Sequence, residues 1–166
     1  MDIMSIFTGF AGRINRAKWW IGTIILAILA VFLYFILAAI FGASLPTDPA
    51  QLASFMRTAA IIQLVLLAII AYPTTALWIK RLNDRDRPSY FAYIFWAPTV
   101  LSVLGGILGI TMTTADMGGV AIPTQSGLGW VLSLASLAVG IWALVEMGIL
   151  KGTDGPNQHG PDPLAK

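Results

Sequence analysis

Four long stretches of this 166-residue chain carry no charge at all: 19–47, 58–79, 88–115 and 117–145. An α-helix rises about 1.5 Å per residue, so roughly 20 apolar residues cross about 30 Å of hydrocarbon. Trp19 to Phe41 supplies 23 residues, 14 of them Ile, Leu, Phe or Val. At about −0.3 to −0.6 kcal/mol each, these favour insertion by about 4–8 kcal/mol at most. The stretch is too long for a signal-peptide core and lacks a small-x-small cleavage site, so it is read as retained. Composition agrees. Only 11% of residues are charged, against about 25% in soluble domains, and 57% are hydrophobic. Too little polar material remains to wet the surface of a globule.

The expected architecture is therefore all-α: a polytopic membrane protein with four transmembrane helices at about 19–41, 58–82, 89–111 and 128–150. In "TDPAQLASFM", Asp48 reads as an N-cap and Pro49 as the first helical residue. Leu52, Phe55 and Met56 share one face, which predicts a segment lying along the interface. Pro73 removes one backbone hydrogen bond inside the second span and predicts a bend. "TTADMGGVAIPTQSG" reads as a polar, flexible, exposed loop, and Gly152 is placed to end the fourth helix. Residues 1–152 form the transmembrane domain and 153–166 a Gly/Pro-rich tail.

An even number of spans puts both termini on one side. That side holds Arg13, Arg16, Lys18, Lys80, Arg81, Arg85, Arg87, Lys151 and Lys166, leaving only Arg57 opposite. Nine cations against one predict that both termini are cytoplasmic. Trp19, Trp20, Trp78, Tyr90 and Tyr93 fall near the same interface and read as a membrane-anchoring belt.

"KRLNDRDRP", Lys80 to Pro88, carries six of the eighteen charges and forms the cytoplasmic connection between the second and third spans. Anchoring needs only cations, yet Asp84 and Asp86 are interleaved with them, which implies pairing. Three separated stretches then resemble a known family. "FTGFAGRINRAKWW" is similar to a Gly-Arg-x-x-Arg-x-x-aromatic motif at Gly12, Arg13, Arg16, Trp19 and Trp20. "KRLNDRDRPSY" is similar to Arg-Leu-His-Asp-x-x-Arg-Ser-Gly-Trp, and "GTDGPNQHGPDPL" to Gly-x-x-Gly-x-Asn-x-x-Gly-Pro-Asp-Pro. Together they resemble the bacterial inner-membrane family of domain of unknown function 805, the YhaH-like proteins. The resemblance implies a four-helix inner-membrane protein and no established activity. Asn83 stands where the family has His, and Asp86 where Gly or Asn is more usual. Asn83 cannot shuttle protons near pH 7.

All three stretches face the cytoplasm in this topology. The expectation is a polar cap, with the tail folded over the helix ends, built from Arg13, Arg16, Arg81, Asn83, Asp84, Arg87, Glu146, Asn157 and Asp162. Composition alone argues for a disordered tail; the resemblance argues for a docked one. Glu146 is the one acidic residue within a span, and an ion pair with Arg81, Arg85 or Arg13 is preferred over a transport site. Gln63 is expected to make an interhelical hydrogen bond, and Thr74 and Thr75 to bond back to their own helix. Gly105 with Gly109, and Ser136 with Gly140, read as packing pairs within the chain, leaving homo-oligomerisation open.

Several classes fall away. A net charge of +2 is too weak and dispersed for nucleic acid. With no cysteine, thiolate metal sites and cysteine nucleophiles are excluded, and a lone His159 does not make a zinc site. No catalytic residue, cofactor site or metal site is assigned. The favoured reading is a membrane scaffold or interaction protein whose cap engages a cytoplasmic or membrane protein, or anionic lipid headgroups. A small oligomeric transporter or channel comes second and a membrane-embedded enzyme last.

Overall fold

The computed structural model describes residues 4–43, 51–116, 118–119 and 121–165. A short helix α1 (Met4–Phe7) leads to α2 (Arg16–Ile40), α3 (Leu52–Asp84) and α4 (Phe91–Ile107). A hairpin of β1 (Met112–Asp116) and β2 (Ala121–Gln125) then precedes α5 (Gly127–Ala143), which runs into a π-helical segment, Leu144–Ile149. Three helices are long and apolar enough to cross a membrane: Arg16–Ile40, Ser54–Asp84 and Gly127–Ile149. The apolar helix Phe91–Ile107 is shorter.

The α2 helix begins where the Asn15 side chain accepts the backbone N–H of Lys18 at 2.9 Å, an N-cap. It buries only Trp19, Gly22 and Leu26. Ile28 is 66% exposed and Phe32 63%, an arrangement stable only in an apolar solvent. Each long helix packs on its neighbour in sequence, and the π segment closes the circuit against α2 and α3. The core therefore concentrates where the ring closes, among Ile14, Trp19, Leu77, Leu82, Phe95, Ala143 and Met147. Trp142 joins it through edge-on contacts with Phe91 and Phe95, ring centres 5.3 and 5.0 Å apart.

Several expectations change. The chain is not all-α. The connector expected as a flexible loop is an antiparallel hairpin pairing Met112 with Gln125 through Asp116 with Ala121. Its turn is drawn in by Asp116 Oδ1, which accepts the Gly119 N–H at 2.7 Å, and Thr113, Thr114, Ile122 and Thr124 supply β-branched residues suited to strands. The third helix stops at Ile107, short of Thr111, because Gly109 turns left-handed at φ 72°. The N–H of Ile110 then returns to Gly105 O at 2.9 Å and that of Gly109 to Gly106 O at 3.1 Å, a Schellman closure. Gly109 thus ends a helix, and Gly106, not Gly105, faces α3: a Cβ there would sit 3.2 Å from that of Ala60.

The segment around Leu52, Phe55 and Met56 is the first part of α3 and not a separate interfacial element. Pro73 lies within that one continuous helix. Asp48 and Pro49, read as its cap, lie outside the described residues. Thr75 serves a neighbouring helix, accepting Trp96 Nε1–H at 2.9 Å, whereas Ser136 bonds back to Leu132 O. Trp19 is buried in the core and not part of an interfacial belt; Tyr90 and Tyr93 are exposed.

Candidate functional site

The end of α3 is set by its own sequence. After Asp84 the chain closes another Schellman turn, with Arg87 N–H to Leu82 O at 2.9 Å and Asp86 N–H to Asn83 O at 3.2 Å. Asp86 takes the left-handed position at φ 52°, which is why Gly or Asn suits that place better. Lys80 to Asp84 thus belong to the helix, and the connection to α4 is displaced to residues 85–90.

Around this helix end the three separated stretches meet. Arg13 Nε donates to Asp84 Oδ1 at 3.1 Å, and Arg81 Nη1 donates to Asp84 Oδ2. The side chains of Arg13, Arg81 and Asp84 are at most 4% exposed. Glu146 Oε1 accepts from Arg85 Nε and Arg87 Nε, both at 3.0 Å. Its partners therefore include one of the three cations expected; Arg13 and Arg81 are committed to Asp84.

Most of the remaining guanidinium N–H groups go to main-chain carbonyls. A helix leaves its last carbonyls without internal partners, and the negative end of its dipole favours cations there. At the end of the π segment and just past it these carbonyls are taken in series. Met147 O accepts Arg81 Nε at 2.7 Å, Gly148 O accepts Trp20 Nε1 at 3.2 Å, and Ile149 O accepts Arg16 Nη1 at 2.9 Å. Leu150 O takes Arg81 Nη2 and Lys151 O takes Arg85 Nη1, both at 2.5 Å. Arg13 continues into the tail, donating to Thr153 O and Gly155 O at 2.8 Å and to Gly160 O at 3.2 Å. Buried Lys80 does the same for α1, reaching Ser5 O, Ile6 O and Thr8 O. Several cations of this cluster are turned inward, onto carbonyls that the helix ends leave without internal partners.

The tail is shaped by its polar side chains. Asn157 Nδ2 donates to Asn83 O and Thr153 Oγ1, both at 2.9 Å, and Thr153 N–H donates to Asp84 O at 2.8 Å. Asn83 Nδ2 binds Phe10 O at 3.2 Å and Gly12 O at 3.1 Å. A Cβ on Gly152 would collide with the Asp84 carboxylate, so this glycine permits close approach; the helix has already ended at Ile149. Asp162 does not bond a guanidinium. It accepts the N–H groups of Leu164 at 2.8 Å and Gly155 at 3.2 Å, and these, with the nearby Arg13, hold its carboxyl below the usual range. Arg87 is the outermost member of the cap residues singled out in pairs, 49% exposed. Sequence reasoning missed the carbonyl-capping roles of Lys80, Trp20 and Thr153; only Lys80 had a signal, as a cation in a cluster already counted. Among the described residues, no three His, Asp or Glu side chains gather as metal ligands.

At the opposite end, Gln63 makes no hydrogen bond to another described residue. The expected interhelical bond is absent because Gln63 lines a cavity of about 1020 Å³ between α3, α4, α5 and the β-hairpin.

Outward-facing apolar helices tied at one end by a dense polar cap define an integral helical membrane protein. The chain belongs to the family described as "Protein of unknown function (DUF805)", which matches residues 7–161 and so includes the first two stretches of the cap whole and the third as far as Pro161. It is also similar to the "Inner membrane protein YhaI" of Escherichia coli strain K12, 27% identical over 100 residues, 60% of this chain and 72% of that protein. The O157:H7 protein of the same name matches equally. No solved structure matches.

Proposed function

We propose that the chain crosses the bacterial inner membrane four times, keeps both termini and the cap in the cytoplasm, and acts as a membrane scaffold or interaction protein. The observation that carries this reading is the convergence of Arg13, Asp84 and the 153–160 carbonyls, which makes a rigid platform from three distant segments. Its rim keeps Arg87 and Lys151 exposed, available to a protein partner or to anionic headgroups.

Four crossings are supported by the path of α4. It runs antiparallel along α3, from the connection after Asp84, past the Trp96–Thr75 hydrogen bond, to Gly106 beside Ala60. Its 17 residues rise about 26 Å, and uncharged residues flank both ends. The bias of nine cations to one supports the cytoplasmic orientation. A transporter reading draws on the cavity near Gln63. However, Glu146, the carboxylate it would use for coupling, is occupied by two arginines. No catalytic step is assigned.

Reporter fusions after Lys166 and within the β-hairpin test the topology; a periplasmic signal from the first would overturn it. Crosslinking in native membranes tests the scaffold. A partner retained by the wild type should be lost in high salt and on Arg87→Ala with Lys151→Ala, with helix content unchanged. Capture indifferent to both would count against the platform.

A further inference from the structure

The cavity of about 1020 Å³ lies far from the cap and is not used by the reading above. Arg57 and Lys80 are 23 residues apart on α3, so Arg57 stands about 35 Å along the helix from the cap. That is close to one hydrocarbon thickness. Arg57 therefore sits at the opposite membrane surface, exposed and paired with no carboxylate among the described residues. It lines the cavity, and none of the described lining residues is acidic.

Deeper inside, three helices contribute polar side chains at one level. Gly106 packs beside Ala60. Ser102 lies one turn inward from Gly106, and Gln63 lies three residues inward from Ala60. Ser133 on α5 is six residues in from Gly127 and donates to Gln125 Oε1 at 3.0 Å. Gln63 and Ser102 bond to no other described residue through their side chains. Unmatched polar groups about 9 Å below the surface are costly against hydrocarbon, so the geometry demands polar company there. Phe55 and Met56 supply an apolar wall to the same cavity. One cation at the mouth, amide and hydroxyls below it, and an apolar side together match a molecule with an anionic head, ester or hydroxyl groups beneath it, and a chain.

We propose that this cavity binds an anionic glycerophospholipid drawn from the bilayer, its phosphate at Arg57 and its glycerol region at the level of Gln63 and Ser102. Its volume is that of a site for a bound small molecule. The cavity would select lipids by headgroup charge and hold one copy on the face opposite the cap.

The full-length protein, purified in mild detergent and placed in phosphatidylcholine nanodiscs containing a minor fraction of phosphatidylglycerol, tests this by native mass spectrometry. The wild type should retain phosphatidylglycerol at least tenfold over its bulk ratio. Arg57→Gln should reduce that enrichment fivefold or more, Arg57→Lys should restore most of it, and Gln63→Leu should reduce it while thermal unfolding stays unchanged. Equal retention of the two lipids by the wild type would overturn the proposal, as would enrichment unaffected by both Arg57→Gln and Gln63→Leu. Soluble glycerol phosphate and inorganic phosphate form the second arm: Arg57-dependent binding of either, with no enrichment of phosphatidylglycerol, would also overturn it, since the ligand would then not come from the bilayer.

Discussion

Arg13 and Asp84 are separated by 71 residues of sequence, yet Nε and Oδ1 meet at 3.1 Å with almost no exposed surface on either side chain. Arg81 takes the second carboxylate oxygen. Two guanidinium groups share one carboxylate, and backbone carbonyls accept most of their remaining N–H groups. Burying such ions is costly, and the shared carboxylate and the carbonyls offset that cost.

Removing the shared carboxylate should therefore be severe. Asp84→Asn leaves two buried cations without a counter-charge, at a cost of about 3–5 kcal/mol. Chemical denaturation in detergent would read this as a large fall in midpoint. Arg13→Ala should cost a similar amount, and the double variant should cost clearly less than the sum of the singles. Additive losses would mean that the pair does not interact.

Glu146 offers a graded comparison. Arg87 is half-exposed, so Arg87→Ala should cost no more than about 1 kcal/mol. Glu146→Gln leaves Arg85, only 14% exposed, facing a neutral amide, and should cost more. The reverse order in melting temperature would contradict the burial that distinguishes the two arginines.

Gly152→Ala should undock the tail, because its new Cβ would fall on the Asp84 carboxylate. Limited proteolysis should then clip residues 153–166 faster while circular dichroism keeps the helical signal. Gly140→Ala is the control: a Cβ there meets nothing within 4 Å, and mid-helix Ala should be more stable than Gly by about 0.5–1 kcal/mol. Equal cleavage of both variants would refute the close approach.

Asp86 occupies a left-handed position. Asp86→Gly should stabilise by up to about 1 kcal/mol, offset in part by the lost hydrogen bond from Gln158 Nε2 at 2.9 Å. Asp86→Val, stiff and β-branched, should destabilise. Thermal melts of the three proteins should rank Gly above Asp above Val.

Asp162 makes tail docking pH-dependent. Its pKa is depressed in the fold, chiefly by the Leu164 N–H bond, so below its unfolded pKa the unfolded chain binds more protons than the folded one. The stabilisation is complete above about pH 4 and lost as pH falls through the lower folded value. Tail protection from an acid-stable protease should fall over that range in the wild type, and this component should be absent in Asp162→Asn.

The charge-free stretches, by themselves, determined that this chain is helical and lives in a membrane. Their length and apolarity leave no other solvent for Ile28 or Phe32. The clustering of cations was equally legible, as was the coincidence of three charged or polar stretches near one end. The left-handed turns at Gly109 and Asp86 were not legible, since a glycine inside an apolar run reads as a packing residue and an aspartate rarely adopts that backbone.

Only the tertiary structure decided which charges pair and which end unpaired. A sequence contains no distances, so Arg13 could have served headgroups, Glu146 or Asp84 equally well. The choice fell to Asp84 because the π segment and the tail bring a row of unmatched carbonyls to the same place, and a buried guanidinium needs several acceptors at once. By the same logic a lone Gln63 inside a span predicts an interhelical bond, but the packing of α3, α4 and α5 leaves it lining a cavity. Pairing depends on which backbone groups remain unsatisfied after the helices pack, a property of the assembled fold.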